Sequence, residues 1–147
     1  MLKPVTEADA QLLFQWRNDP ETRANSINTE PVPWEKHLEW LRKSISDSDR
    51  RLFIFLQNGK PAGTCRIDRS VENGEEIHEL SWTVAPEWRG KGIGKAMIGE
   101  LLQEKILSGK KKKAVIKPNN IPSIKIVERH GFKRGASSGG LTTWYLM

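Results

Sequence analysis

The chain has 147 residues, 24 Lys plus Arg against 18 Asp plus Glu, and a formal net charge of +6. With 37% hydrophobic and 29% charged residues it has the composition of one soluble globular domain, 1–147, built on one core. No apolar run approaches the ~20 residues of a membrane-spanning helix, and a single cysteine, Cys65, excludes an internal disulfide.

Leu2 to Val5 reads as a short edge strand. Glu7 and Asp9 interrupt the start too early for a signal-peptide core, so a cytoplasmic location is the expectation. Thr6 is placed as an N-cap, with Asp9 three residues on in the capping-box position. Leu12, Leu13 and Trp16 give a first helix its apolar face, and Pro20 stops it. Asn18 to Pro33 is polar and predicts a long loop. Pro33 suits the first turn of a second helix, on which Trp34, Leu38, Leu41 and Ile45 repeat at helical spacing with Trp40 near the same face.

The pattern then turns to strands. Arg51 to Gln57 is rich in Leu, Phe and Ile, Asn58-Gly59 is a hairpin signal, and Pro61 to Asp68 returns. Asn73-Gly74 marks a second turn, after which Glu76 to Val84 alternates. Gly92 to Leu107 reads as an amphipathic helix and Lys110 to Lys113 as a solvated turn. That lysine run lacks interleaved aromatics or arginines, so no nucleic acid is expected as a partner. Ala114 to Lys117 reads as a strand, and Pro122 to His130 as a helix closed by Gly131. Phe132 to Met147 forms two strands about Ser137-Ser138-Gly139-Gly140. This order predicts an α/β domain with one mixed sheet and helices on both faces.

The most informative segment runs from Val84 to Lys95, between a predicted strand and a predicted helix. Glycines there let the backbone turn and approach a ligand, and the helix N-terminus offers free N–H groups and a favourable dipole to an anion. Lys91 and Lys95 add positive charge. The segment lacks the Lys-Ser/Thr ending of a P-loop, and it does not follow the first strand of a βαβ unit as a dinucleotide fingerprint would. It reads as a phosphate or pyrophosphate site.

Arg89-x-x-Gly92-x-Gly94, after Val84-Ala85-Pro86, resembles the acetyl-CoA signature of the GNAT superfamily of N-acetyltransferases. Asn120-x-x-Ser123, followed by Glu128-Arg129-His130-Gly131-Phe132, resembles the later motif of the same family. The resemblance spans essentially the whole chain and implies a largely antiparallel sheet flanked by helices. It implies that the amides of Arg89, Gly90, Lys91, Gly92, Ile93 and Gly94 hold the CoA pyrophosphate near Lys95. The backbone of Trp82, Thr83 and Val84 would then pair with the pantetheine arm, and Asn120 and Ser123 would contact the cofactor. It implies acetyl-CoA as co-substrate and no metal. It also places Glu79 as the general base, on one strand face with Ser81. Val127 stands where the family often has a tyrosine that protonates the leaving thiolate, so no acid is assigned. The scattered His37, His78 and His130 read as structural, and Cys65 as a strand residue.

For the acceptor, Trp16-Arg17-Asn18, continued by Trp34 to Trp40, is similar to GNAT enzymes acting on nucleotide-linked amino sugars (pseudaminic-acid pathway type). It is also similar to relatives acting on ribosomal-protein N-termini. Trp16, Arg17 and Arg23 are the candidate acceptor residues, through stacking on rings and forked pairing with phosphate. A peptide N-terminus and a CoA-binding module without catalysis stay open as alternatives. The oligomeric state is not readable.

Overall fold

The computed structural model describes residues 1–147. Seven strands form one sheet: β1 (Leu2–Pro4), β2 (Arg50–Gln57), β3 (Lys60–Glu72), β4 (Glu75–Val84), β5 (Lys111–Ile116), β6 (Lys133–Ser138) and β7 (Leu141–Leu146). Their order across the sheet is β1-β2-β3-β4-β5-β7-β6. Only β4 and β5 run parallel. The helices are α1 (Ala10–Arg17), α2 (Pro20–Ala24), α3 (Trp34–Ser46), α4 (Ile93–Leu101) and α5 (Ile121–Arg129). The architecture is the mixed α/β domain expected from the sequence.

Alternation along the strands divides the side chains between two cores. Phe53, Cys65, Ile67 and Leu80 face α4 and α5 in a cluster of sixteen buried residues. Leu52 and Ile54 face α1 and α3 in a second cluster of eight. Helices on both faces thus bury both sides of the sheet, and no helix is long and apolar enough to cross a membrane.

Four local expectations are corrected. The segment expected to be a long loop contains α2, because the Asp19 side chain accepts the Thr22 amide at 3.1 Å and Pro20 sits in the first turn. The buried face of α3 is His37, Leu41 and Ser44, whereas Trp34 and Ile45 are exposed. Of the apolar set expected from spacing, Leu41 is fully buried and Leu38 and Trp40 pack half-buried against the same core; a satisfied histidine and a small serine take the other buried positions. The helix expected to reach Leu107 ends at Leu101, followed by a short 3₁₀ turn over Lys105–Leu107.

The lysine run is not a solvated turn. Lys111, Lys112 and Lys113 are the first residues of β5, in register with Ile77, His78 and Glu79 of β4. Lys112 is 7% exposed and its pKa is lowered by burial, while Lys113 pairs with Glu72. Alkyl stems let lysines cover apolar surface within a strand while their ammonium groups find carboxylates.

Candidate active site

The site begins with a break in the sheet. β3 and β4 stay paired along the whole of β4, through Val84 opposite Gly63. β4 and β5 pair only at Ile77–Glu79 with Lys111–Lys113. Past that point Leu80 to Val84 have lost their neighbour on one edge, and so has β5 from Ala114 on. The strands diverge as a V, leaving backbone N–H and C=O groups of β4 open to an extended ligand. Trp82, Thr83 and Val84 lie on this open edge. The indole of Trp82 packs against the larger core, with its Nε1 buried and without a hydrogen-bond partner.

At the end of β4 the chain passes through Pro86–Trp88 and turns into α4. Gly90 (φ +74°) and Gly92 (φ +77°) have left-handed backbones, and a Cβ on either would point into open space. Gly92 is the N-cap of α4 and has no side chain to satisfy the first-turn amides of Ile93, Gly94 and Lys95. Lys91 and Lys95 are exposed beside them, with Lys91 Nζ 5.3 Å from the centre of the Trp88 ring. Free amides, a helix dipole and two ammonium groups suit a pyrophosphate. Gly94 differs: it is buried, and its Cβ would lie 2.5 Å from Ile126 Cδ1. Gly94 therefore serves the packing of α4 on α5.

Arg89 does not extend its side chain into open solvent. Its Nη2 lies 2.6 Å from Asp19 Oδ2 and its Nε lies 2.7 Å from Glu21 Oε2. Burial raises the Asp19 pKa, but hydrogen bonds from Arg89 and the Thr22 amide outweigh it and hold the carboxyl below its usual value. On the other side of the V, Asn120 caps α5, its Oδ1 accepting the Ser123 amide at 3.4 Å. Both residues line the same cavity as Glu79, Ser81, Trp82 and Thr83. Val127 is fully buried in the α4–α5 core, which is the physical reason for an apolar residue there.

That cavity, of about 480 Å³, runs from the V between β4 and β5 to the space beneath α1, α3 and the 25–33 loop. Glu79 lines it, with Oε1 3.9 Å from Lys113 Nζ. In register Glu79 lies between Asp68 of β3 and Lys113 of β5. Asp68 is already engaged, at 2.5 Å from Arg50 Nε and 2.8 Å from Arg66 Nε.

The Trp16-Arg17-Asn18 segment divides its work. Trp16 is 3% exposed and belongs to the second core. Arg17 lies over the Trp40 ring, 4.7 Å from its centre, and burial and then the nearby Arg66 guanidinium lower its pKa. Asn18 pins the loop above the cavity, donating to Val32 O at 2.9 Å and accepting from Val32 N at 2.8 Å. Arg23 donates to Asn18 O and Thr29 O, so it too braces the loop.

His37 is fully buried and lines the cavity. Its Nε2 must carry the hydrogen, because it sits 2.9 Å from the Ala10 carbonyl oxygen, which can only accept. Burial lowers its pKa. Cys65 is buried and burial pushes its thiol far up, so it is no nucleophile.

Arg50 and Arg66 are among the lining residues that the sequence does not point to. Their guanidinium carbons lie 6.0 and 5.8 Å from the centre of the Trp40 ring. Nothing local marks them, since they sit among ordinary strand residues. They converge only because β2, β3 and α3 meet there.

The chain's relatives agree with this geometry. The model of the acetyltransferase (GNAT) domain family matches residues 1–133. Over 137 residues the chain is 30% identical to an uncharacterized protein of Methanocaldococcus jannaschii, covering 91% of this chain but only 28% of that longer relative. It is 26% identical over 136 residues to acetyltransferase PseH of Campylobacter jejuni, covering 89% of this chain and 83% of that one. The ribosomal-protein-alanine N-acetyltransferase of Brucella melitensis has the same fold, with a TM-score of 0.80 at 23% identity over 100% of this chain and 99% of that chain. A splayed β4–β5 pair, a glycine loop opening α4 and a family match across nearly the whole chain agree: this protein belongs to the GNAT acetyltransferase family and is an acyltransferase.

Proposed function

We propose that the protein transfers the acetyl group of acetyl-CoA directly to the primary amine of a nucleotide-linked amino sugar. The observation that carries the acceptor reading is the cationic cavity. Arg17, Arg23, Arg50 and Arg66 line it against the two carboxylates Glu30 and Glu79. Arg50 and Arg66 share Asp68, whereas Arg17 is pressed by Arg66 and rests on an indole face. A diphosphate placed between Arg17 and Arg66 relieves that repulsion, and guanidinium groups bind phosphate in a forked geometry.

On the cofactor side, acetyl-CoA supplies a thioester whose acetyl carbon the amine attacks, with the C–N bond forming as the C–S bond breaks and the thiolate leaves. The amides of Arg89 to Gly94, with Lys91 and Lys95, hold the pyrophosphate. The open edge at Trp82, Thr83 and Val84 pairs with the pantetheine arm, and Asn120 and Ser123 close the far side. Glu79 accepts the proton of the incoming ammonium, since only the neutral amine has a lone pair to attack with. Val127 cannot donate a proton, so the second proton, which the nitrogen loses after the C–N bond forms, passes through water to the CoA thiolate.

The test is thiol release from acetyl-CoA across an amine panel of nucleotide-linked amino sugars, free amino sugars, peptides with varied N-termini and polyamines. Turnover is expected with the nucleotide-linked sugars, and Arg66→Met is expected to raise KM for these by about tenfold or more. Turnover restricted to peptides would replace this reading with N-terminal acetylation. CoA binding without turnover on any amine would leave a binding module.

A further inference from the structure

The least obvious element near the site is α2. None of its five residues is buried, so no apolar core holds it in place. Apart from the bonds of Arg23 to its own flanking loops, it is held at its two ends, by cations that follow the two strands diverging beneath it. At its start, Arg89, which follows β4, grips Asp19 and Glu21 and donates to Thr22 Oγ1 at 3.1 Å. At its end, Lys117, which follows β5, donates to the Ala24 carbonyl at 2.9 Å. The helix therefore bridges the mouth of the V. Thr22 and Arg23, with Asn25 and Ser26 after them, line the cavity opposite Ser81 and Thr83 of β4 and Asn120 of α5.

We infer that Arg89 and Lys117 are positioning residues that make α2 a shared wall of the cofactor gap and the acceptor cavity, so that filling the gap orders the acceptor side. This inference rests on the gap being the CoA site. The physical basis is the weakness of the element. A one-turn helix tied by two polar clasps is poorly stable alone. Its clasps hold only while the ends of β4 and β5 keep the spacing that α2 spans. A ligand between the strands fixes that spacing and covers the inner face of α2, so the free energy of binding adds to the local stability of the helix. The second substrate then meets a wall already in place.

The test is hydrogen exchange of the α2 amides with and without CoA, which needs no acceptor. Arg23, Asn25 and Ser26 donate to the carbonyls of Asp19, Glu21 and Arg23 respectively, and Thr22 donates to the Asp19 side chain. Saturating CoA is expected to slow exchange of these amides at least tenfold. In Lys117→Met this protection is expected to fall to twofold or less, with the Kd for CoA changed less than threefold. Lys117→Arg is expected to restore it, because a guanidinium also reaches the Ala24 carbonyl. The double variant Asp19→Asn with Glu21→Gln neutralises both carboxylates of the other clasp and is expected to behave like Lys117→Met. CoA that binds while α2 exchange is unchanged in the wild type would overturn the inference and leave the cofactor reading intact. Protection undiminished in both variants would overturn it as well. No CoA binding at all would sink the cofactor reading first, and the coupling with it.

Discussion

Arg89 and Asp19 stand 70 residues apart in the chain and meet with Nη2 2.6 Å from Oδ2. The contact joins the glycine loop that opens α4 to the N-cap of α2. Both side chains are mostly shielded, at 31% and 17% exposed, so the pair is worth more than a surface ion pair. A double-mutant cycle with Arg89→Gln and Asp19→Asn, read by urea unfolding, is expected to give a coupling energy of about 1 kcal/mol. Additive losses would mean that each residue acts alone. Because the Asp19 carboxyl is held low in the folded state, this stability is present above the unfolded carboxylate pKa. It is lost as pH falls through the folded value.

Glu79→Gln keeps the shape of the strand and removes the proton acceptor. If Glu79 is the base, kcat at neutral pH falls about 100-fold with little change in KM. The loss should shrink as pH rises and more of the amine is already neutral. Steady-state turnover from pH 6 to 9 checks both statements, and an unchanged kcat at pH 7 removes Glu79 from the role.

The two glycines of the signature are expected to fail differently. Gly94→Ala brings a Cβ to within 2.5 Å of the end of Ile126, which overpacks the α4–α5 interface by roughly 1–3 kcal/mol. Ile126→Val, which shortens the offending side chain, should recover most of that loss. Gly92→Ala meets open space but must hold φ +77°, at a cost of about 1 kcal/mol, and it narrows the approach to the helix amides. Its larger effect should be on CoA affinity, which the Ile126 change leaves unrescued. Calorimetry with CoA, beside unfolding curves, separates the two.

His78 is 1% exposed, and neither ring nitrogen has a hydrogen-bond partner. Burial lowers its pKa; Glu76 opposes that shift, while Lys110, Arg69 and Lys112 add to it. Burial also lowers His37. The unfolded chain therefore takes up protons first as pH falls through about 6.5, and stability declines from there down to the folded values. Unfolding midpoints are expected to fall between pH 7.5 and 5.5. His78→Leu should flatten that decline and add about 1 kcal/mol at neutral pH by removing two unpaired nitrogens.

Patterns that depend on near neighbours were readable in the chain. The Asn58-Gly59 and Asn73-Gly74 turns join the expected strands, and the helix expected from Pro122 to His130 is α5. Readings failed where a distant partner decides. Lysine looks solvated until Glu72 and Glu79 are brought beside Lys113 by the register of β3, β4 and β5. Helical spacing favours Ile45 over Ser44 until Arg50 donates to Ser44 Oγ at 2.9 Å. The arginine pair behind the acceptor reading is invisible locally, because Asp68 assembles it from two strands. The helix α2 is a different case: its Asp19 cap and first-turn Pro20 are local signals, and only its anchors at Arg89 and Lys117 are distant.

The seam between β4 and β5 is three residue pairs long. Mechanically the sheet is two rafts, β1 to β4 and β5 with β7 and β6, hinged along that seam. Three pairs are little to join two rafts, so an opening of the wedge breaks fewer ladder hydrogen bonds than parting β3 from β4. A ligand wedged between β4 and β5 would touch both rafts at once and would brace the molecule across its shortest seam.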